Sequence, residues 1–334
     1  MSQQILDIMW SSNECDPTIF SVFLAGSLQK MSMPENIAYT VIVFLSSLAT
    51  VFCLLVVGRS NVFHPNLQAP IWWTAFFYFE LTISKMMTIV FQTTYLTEDY
   101  TGGMTILMWI AATHYHFIFT VMAAPIVIVF ERSLATRLVF DYEKTKRRYI
   151  LISLFLFQFT FSSAFTLLTV FNILRYVSAA FIAGFIAVTS LLVFLYINRI
   201  NKRTLRFVET QNRDIKFNLS VRYQLRENVK TFKMLTTLLI MFTGCIVLLA
   251  CLKTIPMIMG VSEDIKYFFK MSTDMIVHAG PIYVTATLIW GVDDYRIIVL
   301  RLLGYDKKRV IPRKGDPSKK EEDVYFEQFE QALR

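Results

Sequence analysis

The sequence predicts an all-helical membrane protein whose chain crosses the bilayer seven times. Its 334 residues are 55% hydrophobic and only 17% charged, which is too little charge to cover the surface of a soluble protein. Apolar runs of about 20 residues recur along it, and each is long enough to cross a hydrocarbon layer of ~30 Å. Lysine and arginine crowd some of the intervening loops and are scarce in the others, as expected when cations stay on the cytoplasmic side of a membrane.

Seven apolar runs follow one another between a mixed polar N-terminal segment, residues 1–35, and a charged tail, residues 293–334. We place the spans at residues 37–57, 69–92, 104–130, 150–171, 178–197, 234–257 and 271–292. Pro65 and Pro70, in the loop after span one, are predicted to stop helices. Residues 198–233 form the longest predicted inner loop.

The loop from Glu131 to Tyr149, between spans three and four, fixes the orientation of the chain. It carries six Lys and Arg against three acidic residues, and such a loop resists translocation. With this loop inside, 27 of the 33 Lys and Arg lie on the same side, in the inner loops and the tail. The sequence therefore predicts an extracellular N-terminus and a cytoplasmic tail. The net charge of +8 reflects this topology and, secondarily, attraction to anionic membrane lipids, so no nucleic-acid partner is expected.

The cysteine and histidine pattern predicts neither a disulfide nor a metal site. Cys15 is the one cysteine in the predicted outside segments, so it has no extracellular partner. His114 and His116 lie about 200° apart around a helix and cannot bind one metal as a helical pair. Span seven has no deep Lys for a retinal Schiff base. We therefore expect no metal, no cofactor and no enzymatic activity.

Ionisable residues within the spans are candidates for a ligand pocket, because a charge at a span centre costs about 2.5–3.5 kcal/mol and should face the bundle interior. Glu80 and Lys85 in span two point about 140° apart and are poor direct partners. Asp274 lies about one turn inside the outer edge of span seven. By analogy with seven-helix receptor bundles, spans two and seven are neighbours, so the long Lys85 stem can reach it. We predict a Lys85–Asp274 pair that lines an outer cavity. The alternative is that each residue lies in a separate wet pocket.

Histidines extend this set of pocket candidates. His278 follows Asp274 by four residues and shares its helix face, either toward the cavity or as a satisfied core histidine. In span three we favour His114 over His116. The candidate ligand residues are therefore Lys85, Asp274, His278, His114 and Glu80.

Two cytoplasmic features are candidates for coupling to a partner protein. Glu131 and Arg132 close predicted span three, where an acid–Arg pair in G-protein-coupled receptors biases the inactive against the active state. A boundary ion pair without that role is the alternative. Before span six, apolar residues recur at helical spacing, and each is followed in the next position by a basic residue. The basic residues are Arg222, Arg226, Lys230 and Lys233. This pattern predicts a cytosolic helix that extends span six and docks a G protein, or a basic flank that only sets topology.

Several motifs together resemble one receptor family. Glu131-Arg132 is followed by Ala135, Asp141-Tyr142-Glu143 and Arg148; the other motifs are Phe63-His64-Pro65-Asn66-Leu67, Glu80-Leu81 with Ser84-Lys85, and the stretch from Ser220 to Asn228. Taken in chain order, from span one to span six, these motifs resemble the nematode serpentine receptor class epsilon (Sre) family. The first thirty-odd residues and the tail offer no such motif.

The resemblance implies a chemosensory G-protein-coupled receptor in the plasma membrane of sensory neurons, at their cilia, with a small-molecule ligand and a heterotrimeric G protein as partners. It adds Asp141, Tyr142 and Glu143 to the coupling candidates. A seven-span ligand-gated channel of the insect odorant receptor type is the alternative class, but its N-terminus lies inside, opposite to the cation count. A transporter is disfavoured because no inverted repeat is visible.

The tail begins with residues 293–303, which are apolar and basic and are predicted to lie on the inner leaflet as an amphipathic eighth helix. The charged stretch beyond it contains Pro and Gly and is predicted to be flexible. Residues 321–334 carry a weak apolar stripe, which fits a partner-binding helix or a disordered end.

Overall fold

The computed structural model of the protein describes residues 33–59, 65–94, 103–138, 148–171, 173–174, 176–210, 218–291, 293–302 and 304. These residues form helices and no strand. The helices are α1 Met33–Arg59, α2 Pro65–Phe76, α3 Tyr78–Thr94, α4 Gly103–Arg137, α5 Arg148–Val170, α6 Tyr176–Thr210, α7 Asn218–Ile258, α8 Glu263–His278, α9 Gly280–Gly291 and α10 Asp293–Leu302.

Six stretches of these helices are long and apolar enough to cross a membrane. They are Met33–Arg59, Leu67–Phe91, Met108–Arg137, Arg148–Val170, Ser178–Val208 and Thr231–Pro256. The seventh crossing consists of two shorter helices, α8 and α9, separated at Ala279. The predicted all-helical membrane bundle is thereby confirmed, although span seven is not the single continuous helix that the sequence suggested.

Spans two and seven are both interrupted. In span two, α2 and α3 meet at Phe77, and the Glu80 N–H donates to the Phe77 carbonyl only three residues back, at 3.0 Å. In span seven, Pro281 has no N–H to donate, and the Ile282 N–H donates to the Ala279 carbonyl at 3.0 Å. The His278 carbonyl is thus left for another donor, and the Ser46 hydroxyl of span one donates to it at 2.5 Å.

The proline expectation for span two was wrong. Pro65 is the first residue of α2, a position that tolerates proline because the first N–H groups of a helix have no intrahelical acceptor. Pro70 lies inside α2 and does not end it.

The two interruptions contact each other through a glycine. A Cβ on Gly280 would lie 3.1 Å from Cε1 and 3.2 Å from the hydroxyl oxygen of the Tyr78 side chain, closer than ordinary contact distance. Tyr78 is buried. A side chain at position 280 would therefore require the buried Tyr78 ring to shift by a few tenths of an ångström.

On the side that is predicted to be cytoplasmic, the helices extend beyond the predicted spans. Helix α4 continues to Arg137 and α6 to Thr210, so most of the predicted loop 198–233 is helical. The extensions contact each other, because the Asn201 Nδ2 donates to the Thr136 hydroxyl at 2.8 Å. Hydropathy locates only the lipid-facing part of a helix, and Lys- and Arg-rich sequence continues a helix well.

Helix α10 occupies the segment for which an eighth helix was predicted. Tyr295 is fully buried in a hydrophobic core cluster, together with Val57 of span one and Leu288 of α9. Ile298 and Val299 pack against the same cluster. An aromatic anchor thus holds α10 against the inner end of the bundle.

We predict that Gly280→Ala destabilises the protein by about 1–3 kcal/mol, as overpacking of a tight contact does. Gly244→Ala is the matched control, because a Cβ there meets nothing within 4 Å. Since alanine has the better helix propensity, this control should be neutral or slightly stabilising. Thermal unfolding of the purified protein in detergent measures both effects, and equal stabilities of the two variants would contradict the close contact.

Candidate functional site

A buried charged group joins spans one, two and seven. The Lys85 ammonium donates to the Asp274 carboxylate at 2.6 Å, and the Lys85 side chain is only 6% exposed. Its Nζ also lies 3.6 Å from the ring centroid of Tyr39 in span one, a cation–π contact. The contact predicted between Lys85 and Asp274 is present, and Tyr39, which sequence reasoning missed, completes the surroundings of the ammonium.

Two histidines extend this ionic cluster. The His278 Nε2 lies 3.7 Å from Asp274 Oδ1, and the His278 side chain is 2% exposed. The ring centroid of His114 lies 6.3 Å from that of His278. Four of the five predicted ligand residues, Lys85, Asp274, His278 and His114, therefore gather in one place, and we call this group with Tyr39 the ionic cluster.

The fifth candidate, Glu80, belongs to a different network. Its Oε2 lies 2.7 Å from Nδ1 of His116, and His116 Nε2 lies 3.1 Å from the Ser162 hydroxyl of span four. Glu80 is thus paired, as a charge in a span requires, but its partner is His116 and not a residue of the ionic cluster. His116 and His114 point to opposite sides of span three, so each serves one of the two groups.

Gln158 of span four is a buried polar residue that the sequence reasoning missed. Its side chain is almost fully buried. It accepts a hydrogen bond from Trp73 Nε1 at 2.6 Å and donates to the Thr120 carbonyl at 3.0 Å, which ties spans two, three and four together. A sequence signal existed, because buried polar residues recur at helical spacing within a Phe-rich span: Gln158, Ser162, Thr166 and Thr169.

An apolar cavity of about 160 Å³ lies between spans three, five, six and seven. Aromatic side chains supply much of its wall, among them Tyr78, Tyr115, Phe119, Phe242 and Tyr283. Among the residues that the structure describes, no lining residue is charged, and none of the five predicted ligand residues lines the cavity. Helix α8 separates the two features, since Ile276 and Val277 face the cavity while Asp274 and His278 belong to the ionic cluster.

At the other end of span three, Glu131 and Arg132 form a buried pair. The Arg132 Nε donates to one carboxylate oxygen at 2.5 Å and a terminal guanidinium nitrogen to the other at 2.6 Å. The Glu131 side chain is 0% and the Arg132 side chain 3% exposed. The pair lies within α4 and does not close it, because the helix continues to Arg137. A two-point charged contact of this kind has a defined geometry and is strong when desolvated.

The profile of the Sre G protein-coupled chemoreceptor family matches residues 8–334. The chain belongs to the Sre family. Among its relatives in Caenorhabditis elegans, serpentine receptor class epsilon-21 is 26% identical over an alignment of 344 residues that covers 99% of this chain and 93% of that protein. Serpentine receptor class epsilon-45 is 25% identical over 80% of this chain and 72% of its own length. Serpentine receptor class epsilon-1 is 35% identical over 35% and 33% of the two chains.

The family resemblance seen in the motifs is confirmed, and the match also reaches the tail and much of the N-terminal segment, where no motif was apparent. The Sre family is a receptor family and not an enzyme family. Together with the helical spans, it makes this chain a multi-pass plasma-membrane protein with a seven-span fold. Membership of the Sre family does not favour the ligand-gated channel class.

The predicted coupling residues of this Sre receptor lie in different parts of the chain. In α7, Arg226 and Lys233 are exposed, while Leu225 and Phe232 of the apolar face are buried. Arg222 and Lys230 belong to the same helix. Residues 141–143, that is Asp141, Tyr142 and Glu143, lie outside the described residues.

Metal chemistry has no visible basis in the part of the Sre receptor that the structure describes. No group of three or more His, Cys, Asp or Glu side chains there could hold a metal ion. Cys53, Cys245 and Cys251 are free thiols, and Cys15 lies outside the described residues.

We predict that Lys85→Met destabilises the receptor more than the double variant Lys85→Met with Asp274→Asn. Breaking a buried ion pair costs about 3–5 kcal/mol because one charge is left without its partner. The Asp274 side chain is 24% exposed, so the loss should lie toward the lower end of this range. Thermal unfolding of the purified receptor tests the pair; a double variant whose loss equals the sum of the single losses would show that the two side chains act independently.

Proposed function

We propose that this Sre receptor binds a small molecule in the outer half of its helix bundle and transmits binding to a heterotrimeric G protein in the cytosol. The observation that supports this most is the separation of two features along the bundle. An apolar cavity lies between spans three, five, six and seven, and helices α6 and α7 extend well beyond the spans on the basic side of the chain. A molecule in the cavity contacts the same spans that carry the extensions.

The ionic cluster is proposed to hold helix α8 in place on the side that faces away from the ligand site. Asp274 and His278 lie on the same helix, α8, as the cavity-lining residues Ile276 and Val277. Movement of α8 would change the Lys85–Asp274 contact and the cavity wall together. Glu80, with His116, supports the neighbouring part of span two.

Transmission requires two arrangements of the bundle, and a ligand can shift their populations only if it binds one of them more tightly. We propose that spans three, five and six rearrange on activation. The Glu131–Arg132 pair would hold span three in one arrangement, while Asp141, Tyr142 and Glu143 and the basic face of α7 contact the G protein. This assignment needs the N-terminus outside and the tail inside, as the distribution of Lys and Arg favours.

The site of action is proposed to be the plasma membrane of sensory neurons, at their cilia, where a chemoreceptor meets external molecules. A ligand-gated channel of the insect odorant receptor type would have its N-terminus inside, and membership of a receptor family gives it no support.

A panel of candidate ligands tested on the heterologously expressed receptor, with G-protein activation as the readout, tests the function. We predict that replacing Arg222, Arg226, Lys230 and Lys233 together with Ala lowers the ligand-stimulated signal several-fold, because the docking face loses its positive charge. The amount of receptor at the cell surface, measured by an antibody to an N-terminal tag, should be unchanged.

The matched control replaces each Arg by Lys and each Lys by Arg at the same four positions, so the positive charge of the face is kept. It should signal at nearly the level of the unmodified receptor. If the Ala variant reaches the surface and signals normally, the face has no docking role and serves only topology.

A further inference from the structure

The cavity between spans three, five, six and seven has a composition that selects among ligand chemistries. We propose that it binds an uncharged, largely apolar molecule of about the size of one substituted aromatic ring and excludes organic cations and anions. This inference rests on the proposed ligand-binding function and adds the chemical class of the ligand.

The lining of the cavity supplies almost no polar group. Its hydroxyls and thiol come from Thr169, Cys245 and the tyrosine side chains, and the other lining side chains are aliphatic, aromatic or Met. A charged ligand would have to leave its hydration shell without gaining a partner of opposite charge among the described lining residues, which costs several kcal/mol. For a cation, contact with the aromatic faces returns only about 0.5–2 kcal/mol, which is less than this cost. An apolar ligand has no such cost and gains favourable contact with the aromatic wall.

The nearby charges are already neutralised by one another. Asp274, on the helix that separates the ionic cluster from the cavity, is 2.6 Å from the Lys85 ammonium. Glu80 is 2.7 Å from His116. A charged ligand that recruited one of these groups as its partner would have to break its present contact and leave a buried charge unpaired, which is strongly unfavourable. The charges that suggested a polar pocket in the sequence therefore disfavour a charged ligand in the structure.

The size of the cavity sets the size of the ligand. A dry apolar cavity of ~150 Å³ in a protein core is known to hold one benzene molecule, and this cavity has about 160 Å³. The space exists because small residues form part of the wall: Ala179, Ala180, Ala183, Ala250 and Gly280. Larger side chains at these positions would remove it.

Span six carries a reporter for occupancy of the cavity and a matched control. Cys245 lines the cavity, whereas Cys251, on the same helix, is exposed and does not line it. The rate at which each thiol reacts with N-ethylmaleimide can be measured separately in two single-cysteine receptors. One keeps Cys245 and the other keeps Cys251, with the remaining cysteines changed to Ser.

The experiment compares three probes that share one aromatic ring: toluene, benzyltrimethylammonium and benzoate. Only the empty fraction of receptor reacts at Cys245, so toluene at about ten times its dissociation constant should slow that reaction about tenfold. The two ions should leave it unchanged at the same concentration. The Cys251 reaction should be insensitive to all three probes, which controls for effects of toluene on the detergent or bilayer.

A cavity-filling variant makes the test independent of the reporter chemistry. Ala183→Phe should remove the protection by toluene, while Gly184→Phe should keep it, because a Cβ at Gly184 meets nothing within 4 Å. Protection of Cys245 by either ion, absence of protection by toluene, as when a lipid chain already fills the cavity, or equal protection of Cys251 would each overturn the proposal.

The outcome also separates this inference from the proposed function. Protection by toluene without any G-protein activation across the ligand panel would support the cavity chemistry and contradict coupling. Activation by a charged ligand that leaves Cys245 unprotected would support the receptor function and overturn the inference about ligand class.

Discussion

The high cost of charge in a hydrocarbon environment is the constraint on which the rest of this receptor depends. Lys85 and Asp274 satisfy it by contacting each other, Glu80 by contacting His116, and Glu131 by contacting Arg132. The first two contacts join different spans, so the neutralisation of charge also fixes which helices are neighbours. The same cost keeps most Lys and Arg out of the spans and, by resisting translocation, on one side of the membrane.

These contacts divide the bundle into two parts. Spans one, two, three, four and seven are tied by polar side chains, including Ser46, Gln158 and the ionic cluster. The space left between spans three, five, six and seven is apolar and holds the cavity. The interruptions of spans two and seven lie where the two parts meet, because Tyr78 both contacts Gly280 and lines the cavity. A molecule in the cavity would thus contact the interrupted parts of both spans.

The sequence was sufficient for the features that depend on long segments and for one specific contact. Apolar runs predicted the helical bundle. Helical rise and the length of a Lys side chain, together with the analogy that spans two and seven are neighbours in receptor bundles, predicted that Lys85 reaches Asp274. It was insufficient where the partner is set by packing of several helices. Nothing about His116 in isolation distinguishes it from His114, and the two are assigned to different networks only when spans two and four are in place. The cavity arises from the absence of side-chain volume between four helices, and no single residue in the sequence marks it. No proline lies close to the break at Phe77, so no local signal in the sequence marks it. The break is instead accompanied by a tertiary contact with Gly280.

The most direct measurement of the central claim is the location of both ends of the chain in intact cells. The receptor is expressed with one epitope at the N-terminus and a different one at the C-terminus, and antibodies are applied before and after permeabilisation. If the cost of moving cations across the bilayer orients seven crossings, the N-terminal epitope is bound in intact cells and the C-terminal epitope only after permeabilisation. An N-terminal epitope that needs permeabilisation, or two epitopes in the same compartment, would contradict the account.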